Sequence, residues 1–464
     1  MNQIVTESTT VENQISSFFN NLKLGDILRQ SNIRKVKGVP LATLFQFLLS
    51  IAFTGKNMYR LIDSSGTPAG IGKDVAYRLL NSISANWRRF LLVLSTRVIV
   101  QKLLPLTKVT TTKVLIADDS LYCRDRSKKV ELLARVHDHN TGLYRKGFRM
   151  LTLGWSDGHS FIPMLFSVLS SAKDKNRLVP MRNGIDRRTN GYKRRRESIS
   201  KSTDVLVEMV TMAIAAGTTA RYLLFDSWFA FPATIMRILA LKMHTICMLK
   251  NTDKIHYTYQ GRAVTLKELY KSVRKRTGRA KILADIVVVL GKDSKGVPVP
   301  AKIVFIRDRH SKNWLALLST DTTLANEEII KLYRRRWDIE VFFKMAKSFL
   351  NLATEFQSRS YDAQVAHATL VCCRYIMLEI VKRTNSDPRT LGKLFHAVCD
   401  ELSQTSFVDA LALLLKLFEE TLQAVVGISK EQIRQLVDQF IDKLTPVFKR
   451  RLLVLAPVSG QINL

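Results

Sequence analysis

The chain has 464 residues, of which 72 are Lys or Arg and 39 are Asp or Glu, leaving a formal charge of +33. Such a length exceeds one ordinary core, so several domains are expected, and a hydrophobic share of 46% argues against a disordered or collagen-like chain. The charge is far beyond what solubility requires and favours a polyanionic partner, nucleic acid before all others.

An anionic membrane surface would need a basic amphipathic helix or a lipid anchor, and neither is evident. The longest apolar stretches noted, around residues 41–53 and 90–100, are too short and too interrupted to span a bilayer. The opening Met-Asn-Gln-Ile-Val-Thr-Glu lacks the basic and apolar regions of a signal peptide. A cytoplasmic protein with no membrane partner is expected. Five cysteines, without a CxxC pair, speak against a disulfide framework and a structural zinc site.

In chain order, residues 1–105 read as a helical region, with apolar residues at three- and four-residue spacing over 41–61 and 75–100. Its scattered basic residues allow either a DNA-binding module or a bundle with a solvated basic face. From Lys113 the texture becomes β-rich, with predicted strands at 114–117, 148–155 and 161–168, the last two joined by Ser156-Asp157-Gly158. A polar loop, a helix at 204–216, a strand at 222–225, a helix at 232–241 and a strand at 245–249 follow. That order predicts a mixed α/β sheet with helices packed on it. Residues 251–323 return to β signals and read as an insertion. One long helix is expected over 325–352, and the remainder, 386–464 included, reads as amphipathic helices suited to oligomerisation. His137-Asp138-His139 has no third metal ligand nearby and reads as a polar turn.

The expected 325–352 helix carries the most informative pattern. At about 100° per residue, positions four and seven apart fall nearly in line. Around Glu340 this aligns Tyr333, Arg336, Lys344 and Lys347, a carboxylate among cations and a phenol. A solvated face of mixed charge would look similar, but Trp337, Ile339, Val341, Phe342 and Phe343 surround the stripe and suggest a half-buried site for phosphate and metal. Two further carboxylates stand where apolar strands end, Asp118 after Val114-Leu115-Ile116-Ala117 and Asp226 after Tyr222-Leu223-Leu224-Phe225. An Asp in that place also serves as a cap or turn residue.

The segment Tyr333-Arg-Arg-Arg336-Trp-Asp-Ile-Glu340-Val-Phe-Phe-Lys-Met-Ala-Lys347 resembles the Tyr-x2-Arg-x3-Glu-x6-Lys signature of bacterial insertion-sequence DDE transposases of the IS-four type. The resemblance implies an α/β ribonuclease-H-like catalytic core in two parts, 106–250 and 324–385, interrupted by the β-rich insertion at 251–323, with helical N- and C-terminal regions. It implies that Asp118, Asp226 and Glu340 are the catalytic carboxylates and hold Mg²⁺, which Mn²⁺ can replace. The adjacent Asp119 leaves the first ligand open between two residues.

The resemblance further implies that Tyr333, Arg336 and Lys347 grip phosphates beside the cleaved bond, with Lys344 on the same face. Trp314 resembles an insertion-domain Trp that relatives stack on a flipped base, with a core Trp as the competing reading. The basic run holding Arg187, Arg188, Arg194, Arg195 and Arg196 lies between the first two candidate ligands. It reads as a contact for DNA phosphates, against a solvated loop.

The function expected from this is a transposase that binds the terminal inverted repeats of its element and excises and inserts double-stranded DNA, as a homodimer at synapsis. A catalytically silent DNA-binding derivative and a nuclease without strand transfer are the alternatives.

Overall fold

The computed structural model describes residues 14–63, 70–138, 141–276, 280–308, 313–423 and 429–443. The reading of the N-terminus and that of His139 fall outside these residues. Helices Gln14–Asn21 (α1), Leu24–Gln30 (α2), Leu41–Ser50 (α3), Met58–Asp63 (α4), Lys73–Leu80 (α5) and Trp87–Val98 (α6) build the N-terminal region. In α6 the buried Trp87, Phe90, Leu91, Leu94 and Val98 recur every three or four residues, so one face is apolar along its length. Asn86 caps this helix by accepting the Arg89 N–H at 3.0 Å.

The strands are Val114–Cys123 (β1), Ala134–His137 (β2), Tyr144–Ser156 (β3), Phe161–Leu169 (β4), Tyr222–Phe225 (β5), His244–Met248 (β6), His256–Tyr259 (β7), Arg262–Thr265 (β8), Ile282–Lys292 (β9), Pro298–Arg307 (β10) and Trp314–Ser319 (β11). They join in one sheet, ordered β2-β3-β1-β5-β6-β11-β10-β9-β7-β8, with β4 also on β3. Antiparallel β4, β3 and β1 followed by parallel β5 and β6 make the ribonuclease-H-like core. His137 ends β2 and so is a strand residue, not part of a turn.

Every residue of β4 is buried, because helices pack on both its sides. The β-rich 251–323 stretch continues the core sheet: β11 pairs antiparallel with β6, Leu318 opposite Cys247, and β10, β9 and the β7–β8 pair extend it outward.

Helices Asn190–Ser198 (α7), Ser202–Ala215 (α8), Pro232–Ala240 (α9) and Leu266–Ser272 (α10) connect the strands. The single long helix expected over 325–352 is two, Asn326–Arg334 (α11) and Trp337–Ser348 (α12). Between them the backbone tightens to three-residue hydrogen bonds, Arg336 N–H to the Tyr333 carbonyl and Ile339 N–H to the Arg336 carbonyl. The side chains at the break are drawn apart. Arg335 reaches the Thr112 carbonyl and lies against Gly158, whereas Arg336 turns to carboxylates on β1 and α12. A Cβ at Gly158, which adopts φ +86°, would stand 3.1 Å from the Arg335 guanidinium.

Tyr361–Thr384 (α13) is followed by Leu391–Gln423 (α14) and Lys430–Lys443 (α15). By length and apolar composition α13 could cross a membrane, yet Tyr361 through Glu379 are all buried inside the fold. Within it the Arg374 guanidinium pairs with Glu355, both side chains at 0% exposure, and also donates to the Leu48 and Leu49 carbonyls of α3. The N-terminal helices are thereby tied to the core. All five cysteines are free thiols; Cys247, Cys372 and Cys373 are buried and Cys123 is exposed.

Candidate active site

Parallel pairing of β1 with β5 sets Ile116 beside Leu224. Two residues on in each chain stand Asp118 and Asp226, which the register therefore makes neighbours. Asp118 is not at a strand end, as the sequence suggested, because β1 runs on to Cys123 along its antiparallel partner β3. What ends beside it is β5, whose last residue is Phe225, and the site opens in the gap so left.

A cavity of about 410 Å³ occupies this gap, with Asp118, Asp119, Asp226, Trp228, Lys250 and Lys347 among its walls. Asp118 accepts the Asp119 N–H at 2.8 Å and the Arg336 guanidinium at 3.1 Å. Burial, reinforced by the charge of Asp226, pushes the Asp118 carboxyl up to about 7, against the pull of Arg336. Burial also raises Asp226, which accepts the Trp228 N–H at 2.9 Å. Asp119 is engaged differently: Arg149 on β3 grips both its oxygens, the Nε at 3.0 Å.

Glu340 sits in the first turn of α12, and Arg336 bridges it to Asp118, donating to Glu340 Oε1 at 2.6 Å. Tyr333 lies beneath, its ring centroid 5.9 Å from the Arg336 guanidinium carbon and its hydroxyl enclosed. The break between α11 and α12 thus makes Tyr333 a support for Arg336 instead of an outward-facing phosphate contact. Lys347 Nζ bonds Ser120 Oγ at 2.7 Å on the cavity wall, while Lys344 is exposed on the same helix outside the cavity.

The remaining sequence-derived residues lie elsewhere. Trp314 stacks on Tyr270, ring centroids 4.6 Å apart, and sets its edge against Phe305 in the distal strands. Trp314 is half-buried in this packing, at the edge of the core. The basic run divides: Arg187 and Arg188 stand in a turn, and Arg194, Arg195 and Arg196 lie on α7. Arg195 is 1% exposed there, gripping Glu131 and Asp362, and so is unavailable to DNA. Arg194 pairs with Glu197 and Arg188 with Asp186, while Arg187 and Arg196 are exposed.

Sequence reading missed Arg149, Asp138, Trp228 and Lys250 as cavity residues. Trp228 was signalled by its place two residues after Asp226, and its exposed ring lies 5.9 Å from Lys250 Nζ. Arg149 carried no signal, since cross-strand pairing alone brings it to Asp119.

The donor set suits a hard divalent cation: oxygen ligands only, two of them mutually repelling in a desolvated gap. Among the described residues no three carboxylate, imidazole or thiolate groups converge on one point, and Arg336 supplies the positive charge between Asp118 and Glu340.

One solved structure to which the chain is similar is titled as the piggyBac transposase synaptic complex with hairpin DNA. It aligns over 96% of this chain and 85% of that one, with a TM-score of 0.44 and 12% identity. No curated protein matches in sequence. Residues 49–307, more than half of the chain and including Asp118 and Asp226, match the family model described as DDE superfamily endonuclease, a superfamily whose members generally use divalent metal ions. The chain belongs to the DDE superfamily of endonucleases.

Proposed function

We propose that the protein is a DNA transposase of insertion-sequence type, which binds the terminal inverted repeats of its element and carries out excision and strand transfer. The observation that carries this reading is Asp118 beside Asp226 in one charged gap walled by Lys347, with Arg336 linking Asp118 to Glu340 on α12. Asp118, Asp226 and Glu340 would hold the divalent ions, Mg²⁺ or Mn²⁺. When bound, such ions polarise the phosphate and activate water or a 3′-hydroxyl for in-line attack.

The protein's own groups do the rest. Ionisation of Asp118 at Oδ2 readies it as a ligand. Arg336, stacked over Tyr333, can exchange Glu340 for a phosphate oxygen. Lys347 presents a cation from the cavity wall, and Arg149 fixes Asp119 so that the adjacent carboxylates do not compete. Synapsis of two element ends calls for a homodimer, and a cytoplasmic, nucleoid-associated enzyme fits such a substrate.

The test is incubation of the protein with a labelled element end and Mg²⁺ or Mn²⁺, beside Glu340→Gln. Cleavage should fall by roughly 100-fold or more, and equal cleavage by both proteins would overturn the site. Cleavage without joining of 3′ ends to target DNA would leave a nuclease instead.

A further inference from the structure

A second groove, of about 750 Å³, opens where α5 meets the core. Four cations stand on its walls: Lys73 from α5, Lys129 after β1, Arg182 after β4 and Arg359 between α12 and α13. All four are exposed, and among the described residues no ion pair engages any of them. One carboxylate, Glu131, lines the groove, and its charge is already spent inward. Arg195 grips it at 2.6 and 2.8 Å, and the Arg182 and Tyr361 N–H groups donate to it.

The floor is braced. The Glu131 N–H donates to the Arg359 carbonyl at 2.9 Å, and the Gln357 N–H donates to the Tyr77 hydroxyl at 3.1 Å, joining two core segments and α5. Uncompensated cations spread along an open trough suit a linear polyanion better than a single anion. Two of the segments that build the groove come directly from the active site. β1 passes Asp118 and Ser120 and ends at Cys123, from which the chain continues to Lys129; α12 passes Glu340 and Lys347 and ends at Ser348, from which the chain continues to Arg359.

We propose that this groove is a second DNA-binding surface, holding backbone phosphates of the duplex that continues from the cleavage position, clamped between the N-terminal helices and the core. The proposal rests on the DNA reading above.

It is tested on the full-length protein with a labelled duplex in EDTA, measuring affinity against salt for wild type and for Lys73→Ala/Lys129→Ala/Arg182→Ala/Arg359→Ala. Each lost phosphate contact lowers the slope of log K against log salt by about 0.9, so the slope should fall by about 3 to 4. The charge-conserving Lys73→Arg/Lys129→Arg/Arg182→Lys/Arg359→Lys variant should keep it. Acetylation footprinting should show Lys73 and Lys129 protected by duplex. A wild-type slope in the alanine variant, or unprotected lysines, would overturn the groove while leaving the functional reading intact. Absence of DNA binding by the wild type would overturn both.

Discussion

Asp118 holds its proton more tightly than a free carboxyl because burial strips water from the charged form, and the nearby charge of Asp226 adds to the effect. The sign of the consequence is fixed: a carboxyl raised in the folded state to about 7 contributes stability at low pH, and that contribution is lost as pH rises through 7. Asp118→Asn, which cannot ionise, should therefore melt higher than wild type at pH 8.5 in EDTA, by on the order of 2 kcal/mol. The loss of a partner for Arg336 offsets part of this gain. At about pH 3, below the unfolded carboxyl's 3.8, the difference should vanish. A calorimetric comparison showing the same difference at both pH values would refute the account. The residue types of this site were legible in sequence, since Tyr333, Arg336, Glu340 and Lys347 stand at telling intervals. Their partners were not: the neighbour that distinguishes Asp119 from Asp118, Arg149, arrives by a cross-strand pairing that no local pattern encodes.

At the level of elements, sequence periodicity located most strands and helices and misjudged three local events. The unbroken apolar run stops at Ala117, but β1 continues because β3 supplies backbone partners as far as Gly147. The 325–352 pattern is helical throughout, but Arg335 and Arg336 are drawn to different partners and the axis breaks between α11 and α12. Asn-Gly-Tyr-Lys-Arg-Arg-Arg-Glu-Ser resembles a polar loop, yet it is α7, started by the Thr189 cap and held by the burial of Arg195 against Glu131 and Asp362. Trp314 belongs to the same scale. Packed between Tyr270 and Phe305, it should cost about 3 kcal/mol of stability when changed to Ala, with duplex affinity unchanged. An unchanged melting temperature with impaired hairpin formation would instead favour the base-stacking role.

Across the whole molecule, the Arg374–Glu355 pair is the hinge of stability, because one guanidinium serves a core carboxylate and the carbonyl end of α3 together. Glu355→Gln should cost about 3–5 kcal/mol by leaving Arg374 buried without a counter-charge. Limited proteolysis should then release the N-terminal helices first; simultaneous loss of all regions would place the weakness elsewhere. The tie from Arg374 to α3 was invisible in sequence, since it joins residues more than 300 positions apart. The ribonuclease-H-like order of strands was expected from family likeness, and the continuation of the sheet through β11 was not. The same dispersal along the chain has a consequence for synthesis. Asp118 leaves the ribosome ~220 residues before Glu340, about 10–45 s earlier at ordinary elongation rates of roughly 5–20 residues per second. During that interval the nascent chain carries its basic N-terminal helices without Glu340. On the proposed function, newly made protein would meet DNA before it is able to cut.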